Sequence, residues 1–96
     1  MQIFAELEAF DTIIKEEDIK HIRGIFGNQS QKIISSGKMV ANGCFIEKRG
    51  GYFILNVDSA EEAMDLFGYL LEYFHLKIHP VVPFEKVPEF FKKYPY

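Results

Sequence analysis

The sequence predicts a small α+β domain built in the order β-α-β-β-α-β. Three stretches carry that prediction. Residues 2–10, QIFAELEAF, alternate with a period of two; residues 14–36 space their apolar side chains as a helix does; and residues 50–67, GGYFILNVDSAEEAMDLF, read as glycine turn, strand, cap and helix. The chain has 96 residues, enough for one domain spanning 1–96, with 85–96 as a short C-terminal helix or tail. A domain of this size buries roughly 60–65% of the surface its unfolded form exposes, so its core is thin.

The first strand presents Ile3, Ala5, Leu7 and Ala9 on one face and Phe4, Glu6, Glu8 and Phe10 on the other, so both faces are in use. Asp11 or Thr12 is placed to cap the helix that follows. Along that helix Ile19, Ile22, Phe26 and Ile33 form the apolar stripe, and Gly37 ends it. Gly24 and Gly27 each weaken a helix by about 1 kcal/mol relative to Ala, so they mark either a close packing contact or a break near Asn28. Residues 38–48 form the second strand, in which Gly43 signals a bulge or a close backbone approach. Gly50-Gly51 suits the positive φ of a tight hairpin turn into the third strand, 52–58. Ser59 with Glu62 makes a capping box for a second helix running to about Tyr73, with Ala60, Ala63, Met64, Phe67, Leu70, Leu71 and Phe74 on its buried side. Residues 76–84 form the fourth strand. Pro80 and Pro83 cannot donate ladder hydrogen bonds, which assigns it to a sheet edge. Pro88 opens the terminal helix.

Two β-α-β halves with right-handed crossovers give a four-stranded antiparallel sheet of order 4-1-3-2 with two helices on one face, the ferredoxin-like layout. That leaves the other face uncovered. The alternation assigns to it Phe4, Glu6, Glu8, Asn42, Cys44, Tyr52, Ile54, Asn56, Lys77, His79 and Val81. Phe4, Tyr52, Ile54 and Val81 would leave apolar area in water at roughly 25 cal/mol per Å². A two-fold partner sheet packed on that face, forming a homodimeric α/β barrel around a cavity, would remove it. Ten Phe and four aromatics in the last ten residues (Phe90, Phe91, Tyr94, Tyr96) point the same way; the tail either caps its own protomer or makes a subunit contact, beyond the dimer if higher oligomers form.

Gly37-Lys38, Tyr52, Val57-Asp58-Ser59, Glu61-Glu62, Asp65-Leu66 and Pro83 resemble the muconolactone isomerase family of dimeric α/β barrels over about half the chain. The resemblance implies that fold, a homodimer and cofactor-free isomerase chemistry. The second strand departs from it: family members carry large polar and aromatic side chains there, where this chain has Met39, Val40, Ala41, Asn42 and Gly43.

The residues themselves offer Glu6, Glu8 and His79 as acid–base candidates. Strands one and four should pair, and a Glu–His pair in a closed cavity can act as orienter and general base. Asn42, Cys44, Tyr52 and Asn56 are the ligand-binding candidates, the amides and the phenol to polarise a carbonyl. The plainer reading makes the glutamates interface polar groups and Cys44 a small hydrophobe. His75 would close the second helix, so a His75–His79 metal pair is disfavoured, and no metal or other cofactor is expected. A formal charge of −3 lacks the basic surface that nucleic acid requires. The acidic N-terminal stretch is no signal peptide, no apolar run approaches the roughly 20 residues of a membrane span, and a lone cysteine suits a cytoplasmic setting. A small organic molecule is the expected ligand. The alternatives are a non-catalytic binding or assembly module and a haem- and flavin-independent monooxygenase of the same fold.

Overall fold

The computed structural model describes residues 1–93; Tyr94 and Tyr96 of the aromatic tail lie outside the described residues. Strand β1 (Gln2–Ala9) leads to helix α1 (Glu16–Ser35), strands β2 (Met39–Cys44) and β3 (Gly50–Asn56), helix α2 (Ala60–Phe67), a 3₁₀ turn at Gly68–Glu72, strand β4 (Phe74–Val81), a second 3₁₀ turn at Phe84–Lys86, and helix α3 (Val87–Lys93). The sheet is antiparallel throughout, in the order β2-β3-β1-β4, as the topology argument requires. The domain is thus α+β and compatible with a ferredoxin-like fold.

The period of two in β1 translates directly into burial. Ile3, Ala5 and Leu7 are almost wholly buried and meet Phe53, Leu55 and Val57 from β3 and its end. Ile22 and Ile33 of α1, with Ala63 and Phe67 of α2, close the core from above, which places both helices on one face of the sheet. β4 lies at an edge, where a proline disturbs least.

Helix boundaries differ from the sequence reading for identifiable reasons. Neither Asp11 nor Thr12 caps α1. Its N-cap is Lys15, without a side-chain cap bond, and Glu16, Glu17 and Asp18 place negative charge on the positive end of the helix dipole instead. Gly37 does end α1, with φ +75°. Gly24 and Gly27 neither break the helix nor mark tight packing, since an added Cβ at either would meet nothing within 4 Å. The second helix stops at Phe67 rather than Tyr73 because Gly68 adopts φ +43°. There Gln29 of α1, the buried polar residue of the core, donates its amide to the Leu66 carbonyl at 2.5 Å, satisfying a helix-end acceptor. The early stop lets β4 begin at Phe74, so His75 belongs to a strand and not to a helix terminus, and Met64, within α2, faces solvent rather than the core.

Gly50 and Gly51 do not make a positive-φ turn. Both lie in β3, and their missing side chains permit close approach of neighbouring strands: a Cβ on Gly50 would collide with the Leu7 carbonyl oxygen, and one on Gly51 would lie 2.5 Å from that of Gly43. α3 buries no residue of its own; Phe84 before it is 86% exposed, and Phe90 and Phe91, ring centroids 6.3 Å apart, are half-exposed. Among the described residues no helix is long and apolar enough to cross a membrane.

Gly50→Ala is expected to destabilise the domain by about 1–3 kcal/mol, the range for forced overpacking. Gly24→Ala should stabilise it by about 0.5–1 kcal/mol. Gln29→Leu, which orphans the Leu66 carbonyl, should destabilise it by about 1–3 kcal/mol. Urea denaturation of the three variants checks all three signs.

Candidate functional site

The face of the sheet away from the helices is set by the register of β1. Phe4 stands opposite Ile54 and His79, Glu6 opposite Tyr52 and Lys77, and Glu8 opposite Gly50 and His75. Glu6 and His79 are diagonal neighbours across two strands, and this offset brings Glu6 Oε2 to 3.5 Å from His79 Nε2. Their side chains are 30% and 53% exposed. A protonated imidazole there pairs with the carboxylate; a neutral one is held close to it, at a separation that a bound ligand can tighten. Phe4 lies between the polar groups and the rest of the face, stacked on Tyr52 at 5.5 Å between centroids and tilted against His79 at 6.0 Å.

Glu8 does not join this pair. It is held by Lys48 at 3.4 Å, and Lys48 also sits 4.7 Å from the centre of the Phe45 ring. Asn56 shares the face but accepts a 3.4 Å bond from Gln2 at its far end. His75 shares the face as well, edge-on to Phe10. Among the described residues no group of three or more His, Cys, Asp or Glu is gathered to hold a metal.

Asn42 and Cys44 are on the opposite side from the one the alternation assigned. Met39 stands opposite Leu55 and Ala41 opposite Ile54, so Val40 is an extra residue, a bulge in β2. One inserted residue exchanges the faces of everything after it. Asn42 and Cys44 therefore stand opposite Phe53 and Gly51, on the helix side, while Ala41 and Gly43 take their places on the open face. Gly43 is needed there: a Cβ on it would come within 2.6 Å of the Tyr52 ring. The strand thus contributes no polar side chain to the open face, and Tyr52 leans over its bare backbone.

The helix side holds what sequence reasoning missed, a cavity of about 340 Å³ between the first half of α1 and the β2–β3 connection. Cys44 lines it, together with Ile22 and Phe26 of α1 and with Phe45, Lys48 and Arg49 of the connection. Arg49 donates to the carbonyls of Ile13 at 2.6 Å and Phe10 at 3.3 Å, tying the connection to the loop between β1 and α1. The sequence showed these cations only as a turn; the unexplained Gly27 on the same helix stripe was the available signal.

Several of the residues that carried the family resemblance meet in space as a clasp. Lys38 Nζ lies 3.1 Å from Glu62 and 3.6 Å from Asp58. Ser59 Oγ accepts from the Glu62 amide at 3.1 Å, and Glu62 accepts from the Asp58 amide at 3.3 Å. The carboxylate thus reaches the residue before the cap, a shifted capping box. These contacts pin the start of β2 to the start of α2. Their role is structural, well away from Glu6 and His79 in the strand register. No protein-family model and no curated protein matches the chain.

The clasp holds the Lys38 ammonium above the ordinary lysine pKa, chiefly through its hydrogen bond to Glu62 and then through the charges of Asp58 and Glu62. A value raised on folding contributes stability in full below the unfolded lysine value and loses it as pH rises through the folded one. Stability should therefore fall at alkaline pH in the parent and fall less in Lys38→Met, so that the two urea midpoints converge. The Lys38 side chain is partly open to solvent, which screens the pair and keeps the effect small.

Proposed function

We propose that the chain is a cytoplasmic homodimer whose open sheet faces close on one another as an α/β barrel. In this reading the space between them takes a small organic molecule, which undergoes isomerase-like, cofactor-free proton transfer. The observation that carries the proposal is the Glu6–His79 pair at 3.5 Å, set in a half-buried apolar strip of Phe4, Tyr52, Ile54 and Val81 that none of the described elements covers. Burying that strip against a copy of itself removes apolar area from water twice over and lowers the dielectric around the pair, which strengthens it. The resemblance to the muconolactone isomerase family, carried also by Tyr52 on the open face, favours the same dimer. The exposed aromatics around α3 suit a further subunit contact.

In the proposed reaction neutral His79 takes a proton from the carbon next to a carbonyl, and Glu6 orients the imidazole and stabilises its charged form. The Tyr52 hydroxyl donates to the oxygen on which the charge gathers. His79 then returns the proton to the far carbon of the resulting dienolate. No atom is gained or lost. Asn56 lies at the end of the face, where it can hold a ligand's polar group. Glu8, engaged by Lys48, is the weaker acid–base candidate.

The second reading, a non-catalytic assembly module, draws on the stacking of Phe4 on Tyr52: the protomer's own rings occupy the centre of the face and would make a dry interface.

Two measurements separate these readings. Sedimentation should find a dimer that Ile54→Lys converts to a monomer; a monomeric parent protein would remove the basis of both. A β,γ-unsaturated lactone should be converted to its conjugated isomer by the dimer, with turnover lost in His79→Ala and reduced about 10²–10⁴-fold in Glu6→Gln at unchanged dimer content. A dimer without turnover leaves the module.

A further inference from the structure

The cavity beside α1 has the make-up of a ligand site. Its volume of about 340 Å³ falls within the roughly 300–1,000 Å³ of small-molecule pockets. Its walls are apolar, from Ile19, Ile22 and Phe26 on the helix to Phe45 and Phe74 across from them. Its charged lining is of one sign: Arg23, Lys48 and Arg49 border it with no Asp or Glu, in a chain whose net charge is −3. Two of these cations are already engaged, Lys48 by Glu8 and Arg49 by backbone carbonyls. The Arg23 guanidinium has no hydrogen-bond or ion-pair partner among the described residues.

Gly27 supplies an independent observation. It lies one turn beyond Arg23 on the same stripe and lines the cavity, in the middle of a 20-residue helix. Its φ is not positive, and a Cβ there would touch nothing within 4 Å, so neither backbone conformation nor packing calls for glycine. Unlike Gly24, which is equally uncrowded but lies outside the cavity, Gly27 leaves the helix wall of the cavity without a side chain one turn from Arg23.

We propose that this cavity binds an apolar monocarboxylate, with its hydrocarbon body among Ile22, Phe26 and Phe74 and its carboxylate on Arg23 at the mouth. A guanidinium matches a carboxylate with two parallel N–H donors, and the walls offer the body a dry surface. The site lies on the helix side of the sheet, apart from Glu6 and His79, and does not depend on the dimer.

Octanoate tests the proposal, with octan-1-ol and octylamine as neutral and cationic bodies of equal length. Titration calorimetry should show saturable binding of octanoate to the parent protein, and octanoate should slow alkylation of Cys44, which lines the wall. Gly27→Leu fills the cavity and should abolish binding while the protein melts no lower than the parent. Gly24→Ala, on the same helix but outside the cavity, should leave binding unchanged. Arg23→Gln removes an exposed side chain, so folding is not at stake; it should weaken octanoate about tenfold or more without changing octanol. Absence of saturable octanoate binding, equal affinity for octanoate and octanol, or full affinity in Arg23→Gln would each overturn the proposal.

Discussion

Strand β1 is hydrogen-bonded along both edges, to β3 on one side and β4 on the other, and every other feature takes its position from that double pairing. Its alternation is steep: Ala5 and Leu7 have no exposed surface, while Phe4, Glu6 and Glu8 between them face away from the core. A slip of one residue on either edge would carry Glu6 and Glu8 under the helices, where two unpaired carboxylates would be very unfavourable. The register is therefore strongly specified. It is also what sets Glu6 diagonal to His79 and Phe4 against Tyr52, so the constraint that stabilises the core builds the candidate site on the reverse side of the same strand.

Two local devices let the outer strands follow. Gly50 and Gly51 remove the side chains that would collide with β1 and β2, allowing three strands to meet closely at one end of the sheet. At the other end Lys38, Asp58, Ser59 and Glu62 join the start of β2 to the start of α2 through charges and a cap. This is an economical use of a short motif: the capping group that starts a helix also accepts from a lysine of the neighbouring strand. Sequence likeness concentrated in such a clasp reports on architecture, because its residue types are demanded by helix capping wherever a strand runs into a helix. Any chemistry must come from side chains elsewhere.

The two faces of the sheet have different characters. The open face carries the Glu6 carboxylate, the His79 imidazole and the Tyr52 phenol in a strip of rings, and among the described residues no element covers it. The helix face is a packed core except at one end, where α1 and the β2–β3 connection stand apart around an apolar, cation-rimmed cavity. The bulge at Val40 links them, since it moves Cys44 from the first environment to the second and leaves Gly43 beneath Tyr52. Gln29 does comparable work for the helices, joining α1 to the end of α2 through one buried amide.

Element order, sheet order, the burial of Ile3, Ala5 and Leu7, and the Ser59 cap were all legible in the sequence, because each rests on a local periodicity or a capping rule that acts over a few residues. The neighbourhood of Glu6 and His79 was legible too, as strand order and alternation together fix which side chains can meet. What the sequence could not show was the side of β2 on which Asn42 and Cys44 fall, the early end of α2, and the cavity. Each depends on where the chain departs from ideal repetition: an extra residue at Val40, a left-handed Gly68 backed by a distant glutamine, and an empty volume opposite Gly27. Such departures are decided by contacts between segments far apart in the chain, and only the folded arrangement contains them.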